Sequence, residues 1–182
     1  MSIIEILLLA VALSIDAFIV SFSYGLVIKE KRLKNALLLA GYTGFFQALM
    51  PIFGYYLADF VKIYILPYSK IIVFLIFLIL GIQFIKDALT EKSENINIEC
   101  LSMSCLFFAA IATSIDAFSA GISLLLSNTK FLIPIILFGI VTFINSLLGF
   151  FITEKLKKLN TKILQITGGS ILIGLALYTI LA

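Results

Sequence analysis

Apolar residues fall in six runs, at about 3–27, 36–58, 71–89, 101–126, 131–153 and 163–181, separated by short polar segments. Each run reaches or approaches the roughly 20 residues that an α-helix needs to cross about 30 Å of hydrocarbon. The pattern predicts an all-α integral membrane protein with six transmembrane helices. The first run has no basic leading segment, carries Glu5 near its start and outruns the apolar core of a signal peptide, so it is expected to stay as a span. Between the runs lie a basic turn (Lys29, Glu30, Lys31, Arg32, Lys34), a loop ending at Lys70, a polar segment from Lys86 to Glu99, a Ser127–Lys130 turn, and a second basic turn with Lys155, Lys157, Lys158 and Lys162.

Placing alternate loops on opposite sides puts ten of the thirteen basic residues on one side and leaves Lys62, Lys70 and Lys130 on the other. Because cytoplasmic loops are the ones enriched in Lys and Arg, the first, third and fifth loops are expected inside and both termini outside. The long third loop divides the chain into residues 1–89, a linker at 90–99, and residues 100–182.

The two parts repeat each other. Ser14-Ile15-Asp16-Ala17-Phe18 recurs as Ser114-Ile115-Asp116-Ala117-Phe118, an offset of 100, which also pairs Ala10 with Ala110, Ala12 with Ala112 and Ser23 with Ser123. One helix later, Gly44, Gln47, Pro51 and Gly54 correspond to Gly139, Thr142, Ser146 and Gly149 at an offset of 95. Steps of three and four residues trace one helical face. With an odd number of spans per part, the second enters the membrane from the opposite side. The expected architecture is two inverted three-helix repeats, in which transport sites lie near the midplane at the repeat interface.

Composition sharpens this picture. The chain is 62% hydrophobic and 13% charged, against about 25% charged in soluble domains. Almost nothing remains for a nucleotide-binding fold, a nucleic-acid module or an extramembrane catalytic domain. A net charge of +3 gives no reason for a polyanionic partner, so lipid is the expected surrounding and nucleic acid is not. With no His and two Cys, imidazole and thiolate metal sites are nearly excluded, and Cys100 and Cys105 are read as packing residues at a membrane boundary.

Charge placement carries the chemistry. Asp16 and Asp116 each lie roughly 20 Å into their runs at about 1.5 Å per residue, close to the bilayer centre. Every other acidic residue, and every basic one, sits at a helix end or in a loop. An ionised Asp at that depth costs about 2.5–3.5 kcal/mol, so the pair carries roughly 5–7 kcal/mol if unpaired. Protonation or a bound cation would offset it, and a site that alternates between them is an ion-exchange site. Gln47 precedes Pro51 by four residues, so its backbone carbonyl loses a helical partner while its side chain offers a second oxygen. Thr142 and, three residues on, Asn145 occupy the corresponding helix. Together Asp16, Asp116, Gln47, Thr142 and Asn145 form a hard oxygen-donor set, suited to Mg²⁺, Ca²⁺ or Mn²⁺ rather than Zn²⁺ or Cu⁺. Interhelical hydrogen bonding is the structural alternative for each. Ser23 and Ser123 share the Asp faces two turns on, where they either line a route or bond back to helical carbonyls.

The paired Ser-Ile-Asp-Ala-Phe words, the phrase Gly44-Phe45-Phe46-Gln47-Ala48-Leu49-Met50-Pro51-Ile52-Phe53-Gly54, the stretch Ala109–Gly121 and the Gly168-Gly169 pair together resemble the MntP-type manganese efflux pump family of bacteria. The resemblance runs in order over nearly the whole chain. It implies a six-helix inner-membrane exporter with Mn²⁺ as transported substrate rather than resident cofactor, and with Asp16 and Asp116 at its functional core. Some members carry Glu where this chain has Gln47, which removes one negative charge and leaves metal preference and proton coupling open. A related branch, the YtaF-type sporulation membrane proteins, shares the paired Asp motif. Export of another divalent ion or an amino acid, and an accessory membrane role, remain as alternatives. An intramembrane aspartic protease would also need two Asp residues, but the chain lacks the G-x-G-D word of such enzymes.

Overall fold

A computed structural model of the chain describes residues 1–28, 30–89, 103–153, 155 and 161–181. The expected linker at 90–99, Cys100 and the side chain of Cys105 lie outside the described residues, as do Lys29, Lys157 and Lys158. The described residues form eight α-helices: α1 (Ile3–Leu13), α2 (Ile15–Val27), α3 (Arg32–Ile65), α4 (Ser69–Leu89), α5 (Met103–Ala112), α6 (Ile115–Leu126), α7 (Leu132–Ile152) and α8 (Thr161–Leu181). Among them, five segments are long and apolar enough to cross a membrane: Ile3–Val27, Arg32–Tyr64, Leu66–Gln83, Leu106–Leu126 and Leu132–Ile152. A shorter apolar helix covers Gln165–Leu181. The chain is an all-helical, multi-pass membrane protein.

Local chemistry explains the boundaries. A capping box opens α1: the Ser2 hydroxyl accepts from the Glu5 amide (3.3 Å) and the Glu5 carboxylate accepts from the Ser2 amide (2.9 Å). Lys31, at φ 45°, turns the chain into α3. A single 3-10 turn, Leu66–Tyr68, separates α3 from α4.

The first and fourth apolar runs are not continuous helices. Each breaks immediately before its Ser-Ile-Asp word or within it, at Ser14 and at Thr113-Ser114. Hydroxyls at both places bond back to carbonyls of the preceding turn and so compete with the helical ladder. Ser14 donates to the Val11 carbonyl (2.9 Å), while Thr113 and Ser114 both donate to that of Ala110 (3.1 and 2.8 Å).

Packing interleaves the two halves of the chain. α2 packs mainly on α7 rather than on its sequence neighbour α3, α3 packs on α6 and α7, and α4 packs on α8. Buried apolar side chains form two clusters. One draws Leu9 and Leu13 from α1, Leu124 from α6 and Phe138 from α7; the other draws Val20 and Tyr24 from α2, Leu39 from α3 and Phe150 from α7. Along α7 the chain therefore passes from Phe138 through Thr142, Asn145 and Ser146 to Phe150. Thr142, Asn145 and Ser146 form a polar layer between the two apolar clusters, which the first helix break joins through Ser14 and Asn145.

Glycines permit the closest crossings. A Cβ at Gly54 would run into the Phe118 carbonyl oxygen, and one at Gly149 into that of Phe18. At Gly121 it would collide with the backbone of Pro51, which has no freedom to yield. By contrast, a Cβ at Gly174 meets nothing within 4 Å. Gly121→Ala is expected to cost about 1–3 kcal/mol through forced helix separation. Gly174→Ala should be neutral or stabilise by up to about 1 kcal/mol, because it removes a helical glycine without contact. Unfolding in mixed micelles of rising SDS content measures both.

Candidate functional site

Each helix break creates a new helix N-terminus inside the apolar run, with its Asp in the first turn. The first amides of a helix have no intrahelical acceptor. Asp16 fills that role for Ala17, and Asp116 for Ala117, in each case with Oδ1 accepting from the amide at 2.7 Å. Both carboxylates also face the positive end of the helix dipole, worth about 0.3–1 kcal/mol each and up to about 2 in favourable partly buried geometry. For the pair that is at most about 4 kcal/mol, a substantial part of the roughly 5–7 kcal/mol expected from sequence for two carboxylates at the bilayer centre. Sequence reasoning, treating both runs as continuous, missed this source of compensation. The available signal was Ser followed two residues later by Asp, a helix-start signature within an apolar run.

The first break is held by amide side chains arriving from two other helices. Gln47 of α3 donates through Nε2 to the Leu13 carbonyl (3.3 Å), which the end of α1 leaves without a helical partner. Asn145 of α7 donates through Nδ2 to the Ser14 hydroxyl in a short hydrogen bond. Two residues chosen from sequence thus meet at the break that presents Asp16. The second break satisfies itself through Thr113 and Ser114. The helix that carries Asp116, α6, crosses α3 where Gly54 meets Phe118 and Gly121 meets Pro51.

With its nitrogen committed to Leu13, the Gln47 amide leaves Oε1 buried and without a hydrogen-bond partner. Asp116 Oδ2 and Thr142 Oγ1 are in the same condition. Among the described residues, these three are the only buried side-chain oxygens so left. Other buried hydroxyls are satisfied: Thr43 donates to Leu39 and Ala40, and Ser21 pairs with Ser146 at 2.6 Å. Each unpartnered polar atom costs about 1–3 kcal/mol, so the three together represent roughly 3–9 kcal/mol. A water satisfies a hydroxyl or an amide oxygen, but a carboxylate oxygen also gains from positive charge. The set is thus suited to a hard cation. Among the described residues no group of three or more His, Cys, Asp or Glu could hold a metal ion.

Ser23 and Ser123 take the bland one of their two expected roles. Each hydroxyl donates to the carbonyl four residues earlier, Ile19 at 3.0 Å and Ser119 at 3.2 Å. The Ser21–Ser146 bond, which joins α2 to α7 within the polar layer, was not foreseen. Its signal was the place of Ser146 as the counterpart of Pro51.

A family model described as "Putative manganese efflux pump" matches residues 30–180. A protein of Methanosphaera stadtmanae is 36% identical over 93% of this chain and 93% of its own length. One of Methanosarcina acetivorans is 38% identical over 96% of this chain and 94% of its own. One of Aliarcobacter butzleri is 38% identical over 97% and 98%. All three bear the name "Putative manganese efflux pump MntP". No solved structure matches the chain.

The site geometry separates two neutral side chains by their effect on stability. Thr142→Val, close in shape, removes a hydroxyl with no partner and is expected to leave stability unchanged or raise it by about 1–2 kcal/mol. Gln47→Leu strips the Leu13 carbonyl of its donor and is expected to lower stability by about 1–3 kcal/mol. Thermal unfolding of the two variants in one detergent checks the opposite signs.

Proposed function

The chain belongs to the MntP family of manganese efflux pumps, transporters rather than enzymes, and from that premise we propose that it carries Mn²⁺ out of the cell through a midplane site on Asp16 and Asp116. Gln47 Oε1, Thr142 Oγ1 and the Asn145 side-chain carbonyl supply neutral oxygens. The observation that carries this reading is the set of three buried oxygens without partners, all on residues of the oxygen-donor set. Two carboxylates neutralise one divalent charge, while uncharged ligands keep binding weak enough for release.

The proposed architecture is six spans in two inverted repeats, residues 1–89 and 100–182, joined by 90–99. Reciprocal contacts support it. Gly54 lies against the Phe118 carbonyl as Gly149 lies against that of Phe18, and the two pairs exchange under the offsets of 95 and 100 seen in the sequence. Gly44 and Gly139, counterparts of each other, are mutual neighbours, as residues beside a two-fold axis would be. α8 is taken as the sixth span: its 21 residues extend about 30 Å and pack along α4. The basic loops orient the chain with both termini outside the inner membrane.

In the proposed cycle, Mn²⁺ enters from the cytoplasm, binds between the half-helix N-termini and leaves outward as the repeats rock. Moving two charges out against an inside-negative potential costs about 4.6 kcal/mol per 100 mV, so export needs a gradient or a coupled ion. Protons on Asp16 and Asp116 during the return step would supply that coupling.

Asp16→Asn and Asp116→Asn are each expected to abolish protection against added Mn²⁺ in a strain lacking its own exporter, with membrane levels of the protein unchanged. Retained protection with either variant removes that carboxylate from the site. Gln47→Glu adds a third carboxylate and is expected to shift the dependence of transport on pH and on metal identity. An unaltered profile places the side chain outside the site.

A further inference from the structure

Arg32 follows the first basic turn, yet its guanidinium does not extend into solvent as a charge of the positive-inside pattern would. It lies between the C-terminal ends of α2 and α7. Nη1 donates to the carbonyls of Gly25 and Ile28, both at 2.9 Å. Nη2 donates to the Thr153 hydroxyl at 3.2 Å and to the Phe150 carbonyl at 3.5 Å. The guanidinium carbon also stands 5.2 Å from the centre of the Phe150 ring. Both helices end here, so both present carbonyls without helical partners and the negative ends of their dipoles. A planar cation with five donors suits two such ends at once, which a lysine ammonium does not.

These contacts join the two halves of the chain, Gly25 and Ile28 belonging to the first and Phe150 and Thr153 to the second. The crossing beneath them is tight: a Cβ at Gly25 would strike the Phe150 carbonyl and meet Thr153 at 3.0 Å. Farther along the same α2–α7 interface lie the Ser21–Ser146 bond and then the Asn145–Ser14 bond at the helix break. The opposite end of α7 is held differently, by aromatic rings: Phe131 packs on Tyr55 with ring centres 5.1 Å apart. One end of the bundle is thus bridged by hydrogen bonds and a ring face, contacts that water can replace.

We propose that Arg32 is a latch that closes the basic end of the bundle by bridging α2 and α7, and that its release opens the α2–α7 interface toward the polar layer. The proposal deepens the transport reading, on which it rests, by naming the contact that rocking of the repeats must break.

Thiol accessibility tests it without depending on the identity of the transported ion. Cys100 and Cys105 are replaced by Ser, and Ser146→Cys supplies one reporter beyond the latch. A charged, membrane-impermeant thiol reagent is applied to inside-out and right-side-out vesicles. Lys155→Cys, exposed at the end of α7, identifies which vesicles present the latch end. Arg32→Ala is expected to label at Ser146→Cys at least tenfold faster from that end, with no acceleration from the other. Arg32→Lys should fall between Arg32→Ala and the parent. Thr153→Val, which removes one acceptor on α7 and leaves Arg32 in place, should accelerate labelling about two- to fivefold, and it provides the test if Arg32→Ala does not fold. Equal rates in all folded variants, or acceleration only from the opposite end, overturn the latch. Faster labelling in a protein that moves no Mn²⁺ upholds the latch and rejects manganese export instead.

Discussion

The structure turns on placing two carboxylates in the low-dielectric middle of an apolar bundle. A continuous helix would surround each with saturated backbone groups and give its charge nothing. Breaking the helix one or two residues earlier changes this, because the freed amides of α2 and α6 then point toward the acid. Asp16 and Asp116 each take one such amide, at 2.7 Å. The breaks have their own cost in exposed carbonyls at the ends of α1 and α5. Gln47 covers one, and Thr113 with Ser114 covers the other. The unusual polar content of this layer follows from that single demand.

The two breaks are alike in sequence and differ in their support. Around Ser14 the supporting amides come from α3 and α7, so the geometry near Asp16 depends on how the halves sit together. Around Ser114 the hydroxyls act within their own segment. A relative movement of the halves would therefore disturb the first break before the second. The interleaved packing makes such a movement a sliding of α2 along α7 and of α6 along α3, over crossings where glycine brings backbones into direct contact. Glycine at these crossings lets backbone meet backbone, a geometry that favours close helix packing.

Thr142 and Gln47 differ in what they give the fold, although each buries an oxygen without a partner. Hydroxyls that only support the fold, such as those of Thr43 and Thr153, find carbonyls within their own helix. The Thr142 hydroxyl and the Gln47 amide oxygen do not, and they remain buried. A fold selected for stability alone would replace the Thr142 hydroxyl by an apolar group of similar shape, whereas the Gln47 amide also supplies the donor to the Leu13 carbonyl.

Much of this was legible in the chain. Apolar run lengths determine membrane residence, since no other environment accommodates so little charge. The duplicated Ser-Ile-Asp-Ala-Phe word and the glycine spacing on the following helix mark the residues that matter, because local periodicity records which side chains share a face. Hydropathy alone was blind to the breaks at Ser14 and Ser114, as apolar residues continue across both. Which helix meets which also depended on tertiary structure: the pairing of α2 with α7, the Arg32 bridge and the meeting of Gln47 and Asn145 at one break all join residues distant in sequence. Sequence fixes where each polar atom lies along its helix. Only the folded bundle decides which of those atoms find partners and which are buried without any.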